Sequence, residues 1–222
     1  MNTTNNKTIQ DKIKEIFDLY YKYGSCDYIG EPVTQTEHMI LAAMCAEEDL
    51  AKNKYLASPK DRDYIILAAF LHDIGHLIGV RDNLAQMSSW GTLDHDIIAG
   101  KYLRSLNMPE LICKLVENHV IAKRYLVTTD VSYYDKLSEA SKKTLEFQGG
   151  KMSKEEILAF EKDKYNFVYI NFRQWEEEAK ISRDKINCIS KYKKLCQDIL
   201  EREQQKENFR QINNITNKFY IG

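Results

Sequence analysis

The sequence predicts an all-α fold, and three observations carry that prediction. Only three prolines and nine glycines interrupt 222 residues. Apolar residues recur at intervals of three and four nearly throughout. Helix-start signals also stand where several periodic runs begin. The spacing places helices at about 7–23, 34–50, 61–78, 94–106, 109–125, 130–147, 153–179 and 184–218.

The first helix rests on periodicity alone, and the second opens on "TQTE" (Thr34 to Glu37), which fits a capping box. The third contains the apolar run "YIILAAFLHDIGHLIGV". After it, residues 79–94, "GVRDNLAQMSSWGTLD", lose periodicity and carry loop residues, so this segment is expected to cross over the site. Pro109 suits the first turn of the fifth helix, and "FQGG" closes the sixth with glycine. "SKEE" (Ser153 to Glu156) is a second capping box, opening the seventh. In the last helix Phe209, Ile212, Ile215 and Phe219 form an apolar stripe, expected to pack on the chain's own core, with dimerisation as the alternative.

Nothing marks a linker, a repeat or a low-complexity block, so residues 1–222 are expected to form one domain. Its core would span about 15–180, with the helices of 184–218 packed on it. Lys+Arg (32) nearly equals Asp+Glu (33), which leaves no electrostatic footprint for nucleic acid or an anionic membrane. Any anion must be caught by a local cluster. Cys26, Cys45, Cys113, Cys188 and Cys196 include no CxxC pair and read as reduced thiols. The N-terminus "MNTTNNKTIQDKI" is polar, and no run reaches the roughly 18 apolar residues that span a bilayer. A soluble, cytoplasmic protein is expected.

"FLHDIGH" sets His72, Asp73 and His76 inside an aliphatic run, where ionisable groups are costly unless compensated. His38, His95 and His119, the chain's other histidines, also fall on or near apolar helix faces. His72 and His76 stand four apart, one turn along the same face, with Asp73 between them. Imidazole and carboxylate together suit Fe, Mn or Zn better than Mg or Ca. Four histidines and an aspartate exceed what one metal with open positions needs, which points to two metals bridged by Asp73.

The order His38, His72-Asp73, His95, His119, followed by a late helical carboxylate, resembles the HD-domain superfamily of all-α metalloproteins, whose best-known signature is "HDIGH". Two histidines after the HD pair resemble its dinuclear branch. Most of the superfamily are phosphohydrolases, and a dinuclear phosphohydrolase or phosphodiesterase is the alternative reading. "YIGEPVTQTEH", with Tyr28 and Glu31 ahead of His38, resembles the PhnZ-type oxygenases, which cleave the carbon–phosphorus bond of 2-amino-1-hydroxyethylphosphonate.

That resemblance covers roughly residues 15 to 180. It implies two irons in the mixed-valent Fe(II)/Fe(III) state, held by His38, His72, Asp73, His95, His119 and a terminal carboxylate. It also implies O2 and a small organophosphonate as partners, with phosphate and glycine or an analogue as products. Tyr28 and Glu31 would lie on a loop over the metals, with Glu31 recognising an amino group and His76 contacting substrate. Lys123, Ser141 and Arg173 would bind the phosphonate. Two departures stand out. Residues 48–60, "EDLAKNKYLASPK", resemble an insertion forming a surface loop. The family's last ligand is an aspartate in a "WDDxAK"-like stretch, whereas "WEEEAK" offers Glu176, with Glu177 competing. A primary amine or a trimethylammonium analogue both remain open as substrates, as do monomer and homodimer.

Overall fold

A computed structural model describes residues 7–53 and 57–220, with side chains described for all of these except residues 60 and 213–220. Eleven helices and no strand occur among the described residues, beyond isolated bridges joining Asp27 to Thr34 and Gln86 to Thr92. They are α1 (Ile9–Tyr23), α2 (Gln35–Lys52), α3 (Pro59–Leu71), α4 (Ile74–Asp82), α5 (His95–Ser105), α6 (Glu110–Thr129), α7 (Val131–Lys136), α8 (Glu139–Phe147), α9 (Lys154–Lys162), α10 (Asn166–Glu178) and α11 (Ile189–Tyr220). Thr34 with Glu37 and Ser153 with Glu156 both close capping boxes.

Helix α3 is the centre of the bundle, packed against α2, α6, α10 and α11. Leu67, Ala68, Phe70 and Leu71 are all within 0 % exposure, so apolar burial rather than helix propensity holds this element. Phe17, Tyr20, Phe70 and Tyr192 stack from α1 through α3 to α11 at ring separations of 4.7–5.8 Å. The Tyr20 hydroxyl donates to the Phe70 carbonyl at 2.8 Å, satisfying a group that the end of α3 leaves open.

Several expected boundaries are corrected. The run expected as one helix over 61–78 breaks at His72-Asp73, where Asp73 takes φ −99° and ψ 11° and the two halves bend by 41°. His72 and His76 therefore do not share one helix face. The expected helix 130–147 divides at Leu137, and 153–179 divides after Lys162, where Asp163 leaves the helical region. Pro109 stands just before α6 at the N-cap rather than inside its first turn, where its missing N–H is equally harmless. The expected surface loop 48–60 is helical at both ends: α2 continues to Lys52, Leu50 is buried, and α3 begins at Pro59. Residues 54–56 of that stretch lie outside the described residues.

Helix α11 docks through Tyr192, Cys196, Ile199 and Leu200. Beyond them Phe209 and Ile212 are 70% and 60% exposed, so this part of the stripe does not pack on the core; the side chains of Ile215 and Phe219 lie outside those described. All five cysteines are free thiols. Among the described residues no single helix is long and apolar enough to cross a membrane. The bent pair α3–α4 passes on length and composition, but its apolar side chains form the protein's core.

Candidate metal centre and its cavity

The break after α3 creates the centre. Asp73 occupies the N-cap position of α4, yet its carboxylate caps nothing and is turned inward, 1 % exposed. Each of its oxygens faces a pair of imidazoles. Oδ2 lies 3.3 Å from His72 Nε2 and 3.6 Å from His38 Nε2. Oδ1 lies 3.4 Å from His95 Nε2 and 3.6 Å from His119 Nε2. Within each pair the Nε2 atoms are 3.2 Å apart (His38, His72) and 3.1 Å apart (His95, His119).

The other ring nitrogen decides what these Nε2 atoms can do. Nδ1 of His72, His95 and His119 faces the carbonyl three residues earlier, of Ala69, Thr92 and Val116, at 2.9, 3.3 and 2.6 Å. His38 Nδ1 faces the Ala179 carbonyl at 3.3 Å. A carbonyl only accepts, so each Nδ1 carries the proton and, in the neutral ring, each Nε2 presents a lone pair. Lone pairs at 3.1–3.2 Å repel unless a cation lies between them. Two ligand atoms about 2.1 Å from one ion would be about 3.0 Å apart at a right angle and about 3.4 Å at a tetrahedral angle. The observed spacings match that range. Asp73 Oδ2 is also buried without a hydrogen-bond partner, as expected of a metal ligand. These donors fit a dinuclear metal centre, with Asp73 between the two halves.

His76 is different. Its Nδ1 accepts the backbone N–H of Thr92 at 3.0 Å, so the neutral ring carries its proton on Nε2, 4.0 Å from Asp73 Oδ1. It is close enough to join an Asp73–His95 cluster, but its tautomer makes it a donor. The ring stacks on His95 at 4.0 Å. It also lies against Gly91, where an added Cβ would come within 2.7 Å of its Cε1. Gly75 of "HDIGH" has a similar reason: its Cβ would fall 1.9 Å from the His95 carbonyl, so α4 meets the start of α5 only with glycine there.

Burial sets most of the protonation states. It pushes His38 down to about 3 and His119 to about 4, and lowers His95 and His76 as well. His72 is opposed by burial, but the Asp73 carboxylate beside it wins and raises its pKa. Burial disfavours the Asp73 anion too, yet the surrounding imidazoles, His72 foremost, hold it well below the carboxylate range.

The centre forms the floor of a cleft that opens to solvent and is lined by Tyr28, Glu31, His76, Lys123, Arg173 and Glu176. Glu176 reaches it from α10, 6% exposed. Its Oε1 pairs with Arg173 and its Oε2 is buried without a partner. Burial would raise this carboxyl, but Arg173, with His119 and His72 behind it, holds it far down. Glu177 turns away to Arg173 and Lys180. Arg173 also donates from Nε to the Tyr133 hydroxyl at 2.9 Å. Lys123 donates to Thr144 Oγ1 at 3.0 Å, and burial, reinforced by Arg173, lowers its pKa to about 7. Ser141 lines the same wall.

The segment 24–34 folds over the opposite side. Tyr28 N–H donates to the Val33 carbonyl at 2.8 Å and Glu31 N–H to the Tyr28 carbonyl at 3.0 Å, which closes a tight loop. The Tyr28 ring stacks on His38 at 3.9 Å, and Glu31 Oε1 is buried without a partner. All twelve side chains singled out from the sequence thus meet at one centre and its cleft. Sequence reasoning missed Lys180, Gln35, Tyr133 and the Thr92 backbone. Of these only Lys180 left a signal, standing four residues after Glu176 as one more helical turn would place it.

Residues 36–199 match the HD domain family. The chain is 40% identical over 191 residues to an uncharacterized protein of Acanthamoeba polyphaga mimivirus, covering 86% of this chain and 83% of that one. It is 36% identical over 176 residues to the glycine-betaine-forming [1-hydroxy-2-(trimethylamino)ethyl]phosphonate dioxygenase of Leisingera caerulea, covering 79% and 82%. It is 30% identical over 198 residues to the hydroxymethylphosphonate dioxygenase of Gimesia maris, covering 88% and 92%. A family match over most of the chain, joined to relatives aligned along more than four fifths of their length, gives the conclusion: this chain belongs to the HD-domain family, beside the PhnZ-type phosphonate dioxygenases.

Proposed function

We propose that the protein is a diiron oxygenase that uses O2 to cleave the carbon–phosphorus bond of a small 1-hydroxyphosphonate. One observation carries this reading: a floor of paired imidazole lone pairs around one carboxylate lies beneath a wall of buried cations. Both dioxygenase relatives are named for phosphonate substrates with a hydroxyl on the carbon bearing phosphorus, which is the substrate class such a cleft would hold.

In this reading His38, His72, His95 and His119 would hold the two irons together with Asp73 between the histidine pairs, and Glu176 would be the terminal carboxylate. The mixed-valent Fe(II)/Fe(III) pair would supply the redox chemistry with dioxygen and the Lewis acidity that substrate oxygens need. The remaining residues bind and orient. Lys123 and Arg173 meet the phosphonate with charge-assisted hydrogen bonds, and Ser141 adds a hydroxyl. His76, with its proton on Nε2, donates from beside the metals. Tyr28, stacked on His38, closes the site against water, and Glu31 beside it suits a cationic substituent when the substrate has one.

The test is phosphate release by iron-loaded protein from 1-hydroxyphosphonates, in air and under strict anaerobiosis. Release only with oxygen is expected. Equal turnover of phosphoesters without oxygen would return the protein to the hydrolytic majority of its superfamily.

A further inference from the structure

Lysine is almost never fully buried unless it is paired, and this cleft holds two. Lys123 has a place in the proposed chemistry and Lys180 has none. Lys180 follows the last turn of α10 and is 7 % exposed, on the cleft wall beside Ser141. Its Nζ donates to Ser141 Oγ at 2.6 Å and to Glu177 Oε2 at 2.8 Å. An ammonium has three N–H groups, and the third has no partner among the described residues.

Both bonds have consequences for the wall. An ammonium cannot accept, so Ser141 Oγ, having accepted from Lys180, must direct its own proton elsewhere. The Ser141 N–H is already held by Ser138 Oγ at 3.2 Å, and the Ser141 carbonyl accepts from Thr144 Oγ1 at 3.2 Å. Thr144 Oγ1 in turn accepts from Lys123. Helix α8 is therefore bracketed between two buried lysines, one from α6 and one from beyond α10. On its other side Lys180 shares Glu177 with Arg173. Without Lys180, Arg173 alone would balance both Glu176 and Glu177 and have less charge to offer an incoming anion.

We propose that Lys180 is a further substrate-binding residue: it turns the Ser141 hydroxyl into the cleft as a donor and offers its own third N–H to the anionic head-group. The inference rests on the reading of this cleft as a phosphonate site. It adds a third cation to the wall and makes Ser141 and Lys180 one unit.

The experiment uses the full metal-loaded chain, with methylphosphonate and inorganic phosphate as unreactive probes in titration calorimetry. Lys180→Met is expected to keep its metal content and weaken both probes roughly tenfold to a hundredfold, the worth of a hydrogen bond to a charged group. Ser141→Ala is expected to weaken them less, and the double variant to bind about as poorly as Lys180→Met alone, because coupled residues are not additive. Binding by Lys180→Met within about twofold of the parent, or full additivity with Ser141→Ala, overturns the inference. If Lys180→Met does not fold, Ser141→Ala decides: unchanged phosphate binding overturns it. A parent protein that binds neither probe overturns the functional reading and this inference together, whereas parent binding with an unaffected variant overturns the inference alone.

Discussion

Replacing Asp73 with asparagine tests the centre with almost no change in shape, since the side chain is buried and isosteric. Its two carboxylate oxygens each face two Nε2 atoms at 3.3–3.6 Å. Asparagine keeps one oxygen, without its charge, and puts an amide NH2 before the other imidazole pair. That amide would donate to lone pairs that otherwise converge on a cation, so one half of the centre is blocked and the other weakened. Loss of an outer partner of a metal ligand already costs about 10- to 100-fold in affinity, and loss of a direct ligand should cost more. A metal present at 100 times its dissociation constant stabilises the fold by about 2.7 kcal/mol. For a chain of this size that corresponds to about 5–11 °C in Tm. Metal analysis and calorimetry, with and without chelator, should give about two metals per parent chain and at most about one in Asp73→Asn. The metal-dependent rise in Tm should be mostly lost, and the metal-free Asp73→Asn protein should itself melt below the metal-free parent, because the imidazoles that hold the Asp73 carboxyl well below the carboxylate range make that anion stabilising in the metal-free fold. Two metals in Asp73→Asn, with the full thermal gain, would refute the bridging geometry.

Two further predictions concern charge. Glu176→Gln should lower metal occupancy or turnover far more than Glu177→Gln, because Glu176 pairs with Arg173 through Oε1 alone and leaves Oε2 buried with neither hydrogen bond nor ion pair, whereas both Glu177 oxygens are ion-paired, one to Arg173 and one to Lys180; equal effects on metal content would reject Glu176 as the terminal ligand. In metal-free protein, burial keeps His38 and His119 neutral down to about 3 and 4, and lowers His95 and His76. The unfolded chain then binds more protons, so stability should fall as pH drops from about 6.5 toward 4, partly offset by His72, whose raised pKa acts in the opposite sense. Urea midpoints across that range check the sign, and a midpoint that rises on acidification would contradict it.

The sequence by itself determined the helical class and the membership of the centre. Apolar spacing and capping residues are local, so "TQTE" and "SKEE" read correctly as helix starts. Histidine and aspartate inside apolar runs need compensation wherever they are buried, which made His38, His72, Asp73, His95 and His119 conspicuous before any coordinates. Even the ring tautomers of His72, His95 and His119 follow from carbonyls only three residues away. Tertiary structure decided the rest. The apolar pattern runs unbroken through "FLHDIGHLIGV", so the bend that frees the Asp73 carboxylate is invisible in it; the contact of Gly75 with the His95 carbonyl comes from a different helix. The resemblance gave His76 a contact with substrate rather than metal, and only the fold brings the Thr92 N–H, sixteen residues on, to its Nδ1. Glu176 and Glu177 are chemically identical in the chain, and neighbours on a helix point about 100° apart. Only the packing of α10 against α2 and α6 turns one toward the imidazoles and leaves the other to Arg173 and Lys180. Local patterns fix what a side chain is and which helix carries it, but its direction at a shared site depends on contacts from distant segments, which no local pattern encodes.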